Sequence, residues 1–314
     1  MTKTAFLFPG QGSQSVGMMS ALADEFSLVR ETFDEASIEL GYDLFAMVAN
    51  GPAEELNRTE VTQPAMLVSG VACLRVWRSL GGVQPDYFAG HSLGEYTALV
   101  AAGVIEFRDA VNIVAKRGSL MQQATPAGTG AMAAVLGLDD QLLNDICEQV
   151  SNAEIVACAN YNAPGQVVIS GNCGAVERAG AKALEAGARR VLPLPVSVPS
   201  HCSLMKPAAA KLQDVLLAVH FSDGTVPVIQ NADVKAYQDA SQVREALARQ
   251  LWQPVRWTET IRYLISAGAD TFVECGPGKV LAGLNRRISR EPAVFSLSAR
   301  SEFDKALPPE NTDE

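Results

Sequence analysis

The pentapeptide Gly90-His91-Ser92-Leu93-Gly94 has the Gly-x-Ser-x-Gly spacing that presents a serine on a strained strand-to-helix turn. The glycines let neighbouring backbone approach closely, and the serine Oγ stands free to attack a carbonyl. The pentapeptide alone is a weak signal. Its setting adds weight: a short apolar segment, 86–90, precedes it, and a helical pattern with small residues follows over 93–103. A serine nucleophile needs a base, and the chain has 3 histidines. His91 adjoins the serine, where successive side chains point to different sides, and it is expected to support the turn. His220 ends the apolar stretch Leu216-Leu217-Ala218-Val219 and is expected to be half-buried and structural. His201 lies in the loop Pro199-Ser200-His201-Cys202 and is the expected base, with Nε2 taking the Ser92 proton.

The group that orients this imidazole stays open. Asp139, Asp140 and Asp145 fall between serine and histidine, but in an exposed-looking helix. A backbone carbonyl on Nδ1–H would fix the tautomer as well, with a weaker electrostatic assist. An oxyanion hole needs two backbone N–H groups. Leu93, directly after the serine, supplies one. Gln11 in the Gly10-Gln11-Gly12 turn is the candidate for the other, although a glycine turn after a first strand can be only a turn. Arg117 lies between Val114 and Met121 at helical spacing and so projects from an apolar face. A buried arginine needs an anion, either a protein carboxylate or a substrate carboxylate held bidentately.

These side chains need a scaffold. The apolar run 3–8 predicts a buried first strand that stops at Pro9-Gly10. Thr62 caps a helix expected from near Pro64 to Leu80, then a second strand covers 86–90 and a helix starts at Leu93. This alternation predicts an α/β fold with a mostly parallel sheet. After a small-residue hinge at 128–130 the pattern changes. Strands at 131–136, 154–160, 166–170 and 189–195 interleave with helices at 139–150 and 175–186. The order β-α-β-β-α-β is that of a ferredoxin-like unit. Strands at 225–230 and 271–275 and a helix at 279–288 resume the first pattern. The expected organisation is a discontinuous catalytic domain, 1–127 and 198–307, an inserted subdomain, 128–197, and a frayed acidic tail, 308–314.

Composition excludes several classes. The chain has 314 residues, 48% apolar and 19% charged, enough for one large domain or two modest ones. A net charge of −10 argues against bulk binding to nucleic acid or an anionic membrane. The longest apolar stretches, such as 96–105, reach roughly ten residues, about half of a membrane span. The run 5–8 is too short for a secretory signal. The 6 cysteines are scattered, without a Cys-x-x-Cys pair or zinc-ligand spacing, as expected of reduced thiols in a cytoplasmic protein.

Several further motifs accompany the elbow. They are Phe6-Leu7-Phe8-Pro9-Gly10-Gln11-Gly12-Ser13-Gln14, Gly128-Thr129-Gly130-Ala131-Met132-Ala133 and Asn160-Tyr161-Asn162. Gln250-Leu251-Trp252-Gln253-Pro254-Val255-Arg256-Trp257 and Glu274-Cys275-Gly276-Pro277-Gly278-Lys279-Val280-Leu281 follow. Together with Gly90–Tyr96 they cover almost the whole chain, and the set resembles the malonyl-CoA:acyl carrier protein transacylases of bacterial fatty acid synthesis. The resemblance implies an α/β-hydrolase-like domain with a ferredoxin-like insertion. It implies that malonyl-CoA acylates Ser92, that Arg117 holds the malonyl carboxylate, and that Gln11 and Leu93 line the oxyanion hole. It also implies that the Gln250 backbone carbonyl orients His201, and that Met121, Asn160 and Ser200 contact substrate. In related polyketide acyltransferase domains a Phe before the histidine accompanies malonyl selection and a Ser methylmalonyl. Freestanding bacterial members resemble this chain in having Ser there, so malonyl is the expected acyl group.

The expected reaction is a ping-pong transfer to the phosphopantetheine thiol of holo acyl carrier protein. CoA is the released product, and no permanently bound cofactor or metal is expected. An acidic carrier protein needs a local basic patch. Arg189, Arg190, Arg286, Arg287 and Arg290 are the candidates, unless they only solvate their faces. A monomer is expected. A thioester hydrolase would use the same Ser92–His201 pair but release acid to water. A non-catalytic carrier-protein binder would take no acyl group.

Overall fold

In the computed structural model, which describes residues 3–126, 128–196 and 198–307, two sheets hold the strands. In chain order these are β1 (Lys3–Phe8), β2 (Tyr87–Gly90), β3 (Gly130–Leu136), β4 (Val156–Ala163), β5 (Gln166–Asn172), β6 (Arg190–Pro193), β7 (Val228–Ile229), β8 (Ala269–Glu274) and β9 (Ala293–Ser296). The first sheet has the order β7-β2-β1-β8-β9, with every pairing parallel. The central β1 buries Ala5 through Phe8 completely, because helices cover both faces. Phe6 and Phe8 pack with Phe88 on one face, under the Thr59–Ser79 helix and its Trp77. Ala5 and Leu7 point to the other face, against Trp257, Ile261 and Leu264 of the Trp257–Ser266 helix.

The second sheet is antiparallel, in the order β4-β5-β3-β6. Its chain order is β-α-β-β-α-β, with helices Asp140–Val150 and Cys173–Glu185 between the strands. Val135, Val167 and Ile169 of the sheet pack with Ile146 and Ala179 of these helices in a separate core. Val255 joins β4 to the large sheet's side of the molecule: its N–H donates to Ala159 O (2.8 Å) and its carbonyl accepts from Tyr161 N–H (2.9 Å).

Several expected boundaries move. The helix expected from Pro64 begins at Thr59, with Arg58 rather than Thr62 at its cap, and Pro64 lies inside it. Pro64 forfeits one intrahelical bond, and near-complete burial of the helix from Thr62 through Leu74 outweighs that cost. The strand expected over 225–230 shrinks to Val228–Ile229, since Pro227 has no N–H to offer the ladder. His220 is exposed just beyond the Lys206–Leu217 helix, not half-buried, because that helix stops before it. Residues 13–58 carried no expected element, yet Ser20–Glu25, Ser27–Leu40, Leu44–Asn50 and Ala53–Leu56 are helices. β9 was also unanticipated. The tail at 308–314 lies outside the described residues. Among the described residues no helix is long and apolar enough to cross a membrane.

Candidate active site

Strand register brings the chemistry together. Phe8 pairs with Gly90, and Ala89 pairs with Ile229. The segments that follow β1, β2 and β7 therefore leave the same edge of the parallel sheet side by side, where open α/β sheets bind ligands. Gly90 and Gly94 make the turn possible. A Cβ on Gly90 would sit 1.9 Å from the Gly94 carbonyl carbon, and one on Gly94 would sit 2.0 Å from Phe8 O. Between them Ser92 holds φ at 51°, in the left-handed region that non-glycine residues rarely adopt. The Gly94–Ala101 helix begins at once.

His201 meets this serine. Its Nε2 stands 2.8 Å from Ser92 Oγ, and its Nδ1 stands 2.7 Å from Gln250 O. A carbonyl only accepts, so the network places the proton on Nδ1 and leaves Nε2 free to accept from the serine hydroxyl. Burial, and then the nearby Arg117 charge, push the His201 pKa down to about 3. The ring is therefore neutral at neutral pH. The three aspartates between serine and histidine in the chain do not orient the ring. Asp139 caps the Asp140–Val150 helix by accepting from Gln141 and Leu142 N–H, Asp145 accepts from Gln141, and Asp140 opens the same helix.

Arg117 projects from the Phe107–Ala124 helix and is 1% exposed. Its Nη2 donates to Gln250 Oε1 (2.9 Å) and lies 3.3 Å from Ser92 Oγ. The guanidinium sits 5.5 Å from the Tyr96 ring centroid. Its Nε has no partner, and among the described residues it forms no ion pair. Burial works against its charge, offset partly by Tyr96 and Glu95. A buried cation without an ion-pair partner beside a nucleophile is suited to a substrate anion. The Gln250 side chain was not singled out from sequence. Its Nε2 donates to Ser92 O (2.8 Å), so this one residue touches serine, histidine and arginine.

Gln11 and Leu93 line the same cavity as Ser92 and His201. The turn after β1 faces the elbow closely: a Cβ on Gly10 would lie 3.6 Å from Leu93 N. Ser92 N–H is already committed to Asn231 Oδ1 (2.7 Å). Neither Gln11 nor Leu93 N–H meets an acceptor among the described residues. Met121, Asn160 and Ser200 also line the cavity. So do Met132 of the Gly128–Ala133 motif, Thr59 and Gln63 of the Thr59–Ser79 helix, and Leu194, Val196 and Val198; no motif marks the last five. His91 Nε2 lies 2.7 Å from Asn162 Oδ1, and its ring packs 5.5 Å from Trp257.

Arg189, Arg190, Arg286, Arg287 and Arg290 are all exposed. Arg190, Leu136 and Gln166 form one row across the small sheet, and Arg287 donates to Gln166 Oε1. Both arginine pairs thus converge on one end of that sheet. Arg286 donates to Val294 O (3.0 Å). Among the described residues no cluster of His, Cys, Asp and Glu could hold a metal ion.

Residues 5–294 match the family described as acyl transferase domain. A malonyl CoA-acyl carrier protein transacylase of Salmonella typhimurium is 56% identical over 98% of this chain and 99% of its own length. One of Bacillus subtilis is 46% identical over 98% and 97%. A malonyl-transacylase solved in complex with the acyl-carrier protein of a type II polyketide synthase superimposes with a TM-score of 0.96. It is 51% identical and covers 98% of this chain and 99% of its own. An acyl carrier protein S-malonyltransferase of Vibrio cholerae superimposes with a TM-score of 0.94 at 52% identity, covering 97% and 99%. The chain therefore belongs to the acyl transferase domain family and, within it, to the malonyl CoA-acyl carrier protein transacylases.

Proposed function

We propose that the protein moves a malonyl group from malonyl-CoA to the phosphopantetheine thiol of holo acyl carrier protein, through malonyl-Ser92, and so supplies extender units for fatty acid synthesis. One observation carries this reading. The serine that pairs with a neutral His201 also lies 3.3 Å from a buried cation that forms no ion pair among the described residues. An acyl group ending in a carboxylate satisfies both.

His201 Nε2 takes the Ser92 proton as Oγ bonds to the thioester carbon. The oxyanion rests on the Leu93 and Gln11 N–H groups. As the C–S bond breaks, His201 returns the proton to the CoA sulfur, and CoA leaves. The carrier-protein thiol then gives its proton to His201 and attacks malonyl-Ser92, and Ser92 leaves with that proton. Gln250 O holds the imidazole tautomer throughout. Arg117 grips the malonyl carboxylate, with Met121, Asn160 and Ser200 around the acyl group. The scheme calls for no resident cofactor or metal.

The small antiparallel unit, 128–197, reads as a ferredoxin-like subdomain inserted into an α/β-hydrolase-like domain formed by 1–127 and 198–307. Convergence of Arg189 and Arg190 with Arg286 and Arg287 supports docking of an acidic carrier protein at that end of the small sheet. The reading also carries a cytoplasmic location, consistent with six free cysteines, and action as a monomer.

Intact-protein mass spectrometry after brief exposure to malonyl-CoA, followed by holo acyl carrier protein, tests the scheme. A malonyl adduct on Ser92 that is lost as malonyl-carrier protein forms is expected. An adduct that decays equally fast in water alone would make the protein a hydrolase.

A further inference from the structure

Asn231 directs its side chain and its backbone N–H to the nucleophile's turn and the helix that follows. Its Oδ1 accepts from Ser92 N–H at 2.7 Å, and its Nδ2 donates to Gly90 O at 2.6 Å. Its backbone N–H donates to Glu95 Oε2 at 2.6 Å. Asn231 is 1% exposed and Glu95 fully buried. The amide orientation is determined by its partners: reversing it would set Nδ2 against an N–H and Oδ1 against a carbonyl.

The two groups that Asn231 grips flank His91 in the chain, at the residue where β2 ends. Beyond Gly90 the ladder gives one more bond, His91 N–H to Phe8 O at 2.9 Å, and Ser92 itself has no strand partner. A non-glycine residue at φ 51° persists only where its surroundings over-determine it. Here Asn231 holds the N–H of Ser92, while the Gln250 side chain holds its carbonyl. Glu95, in the first turn of the helix that follows the elbow, reaches back to fix Asn231 itself.

We propose that Asn231, anchored by Glu95, is a positioning residue that holds the Ser92 backbone so that Oγ stays in reach of His201 and the Leu93 N–H stays free for the oxyanion. The inference rests on Ser92 being the acylated nucleophile. Asn231 touches neither Arg117 nor the thioester in this scheme, so its loss falls on the chemical step and spares substrate affinity.

The experiment compares the native protein with Asn231→Ala, Glu95→Ala, Glu95→Gln and a packing control, Leu264→Ala, on the opposite face of the sheet. Each is followed by single-turnover acylation with malonyl-CoA, KM, thermal midpoint, and Ser92 labelling by a phosphonofluoridate, which needs an activated serine but no malonyl recognition. Asn231→Ala is expected to slow acylation and labelling about a hundredfold, as small misplacements of reacting groups do, with KM changed by less than about threefold. Glu95→Ala is expected to slow both, and Glu95→Gln, which keeps an acceptor for Asn231 N–H, to recover most of that loss. Native-like acylation and labelling in Asn231→Ala would overturn the proposal. So would slowing no greater than in Leu264→Ala at matched thermal loss, or equal rates in the two Glu95 variants if Asn231→Ala does not fold. A native protein that is labelled by the phosphonofluoridate but takes no malonyl group overturns the malonyl reading, and the labelling rates then decide on Asn231 alone.

Discussion

His201 is anchored by a neutral group: its Nδ1 stands 2.7 Å from the backbone oxygen of Gln250, where many serine enzymes place a carboxylate. Burial, and then the Arg117 cation, outweigh the backbone acceptors at Gln250 and Gln253, and the pKa falls to about 3. A base must be deprotonated to act, so His201 stays competent as pH falls through 6.5 and fails only near its depressed value. Labelling of Ser92 by a neutral phosphonofluoridate is expected to hold its rate from pH 8 to about pH 5. The neutral probe matters because malonyl-CoA titrates in its own right. A rate that halves near pH 6.5 would mean that the ring is solvated like a free imidazole.

Arg117 offers an equally direct test. Removing the guanidinium takes away the partner of the acyl carboxylate, whereas an acetyl group never had one. Arg117→Ala is expected to lower kcat/KM for malonyl-CoA by roughly a thousandfold or more and to raise relative acceptance of acetyl-CoA. Arg117→Lys keeps the charge but loses the planar fork, and an intermediate malonyl rate is expected. An unchanged malonyl-over-acetyl ratio in Arg117→Ala would leave the arginine a structural role only.

The sequence makes the elements of this site legible but not their meeting. Gly90–Gly94 reads as an elbow because steric demands at Gly90 and Gly94 are local. The first strand reads correctly because unbroken apolar residues at Ala5–Phe8 follow from burial on both faces. The helices at 20–56 are not legible as a run, although Val29, Phe33 and Ala36 are buried at helical spacing. Asn231, Glu95 and Gln63 were invisible for a different reason. Asn231 matters only because β7 pairs beside β2, and no local pattern encodes that register. Glu95 lies within the recognised motif, but a carboxylate one turn into a helix looks like a dipole-favoured surface residue until its complete burial is known.

Close approach at the elbow predicts sharply different outcomes for two glycines. A Cβ on Gly94 would sit 2.0 Å from Phe8 O and 2.7 Å from Phe8 C. Phe8 cannot retreat, since β1 is paired on both sides. Gly94→Ala is expected to cost at least about 1–3 kcal/mol, with loss of acylation, because the strand and the elbow must separate. Gly283, exposed in the Val280–Ile288 helix, has nothing within 4 Å of an added Cβ. Gly283→Ala is expected to stabilise by about 0.5–1 kcal/mol through helix propensity. Urea midpoints for the two variants check both signs.

Glu95 ties stability to pH. Its burial raises the carboxyl pKa to about 7, against the pull of Asn231 N–H, Gln250 and Arg117 and with a push from Asp233. A raised acid favours the protonated native state. Between the unfolded value of 4.5 and about 7 the native protein keeps a proton that the unfolded chain has released, so stability falls as pH rises through that window and the loss is complete above it. The span corresponds to about 3 kcal/mol at most. Glu95→Gln is neutral at every pH and keeps an acceptor for Asn231 N–H. It is expected to match the native protein near pH 4.5 and to exceed its stability at pH 8. Urea unfolding of both proteins across pH 4.5 to 8 checks this. Parallel curves would mean that Glu95 is ionised throughout, its charge met by Arg117 and the Asn231 N–H despite burial.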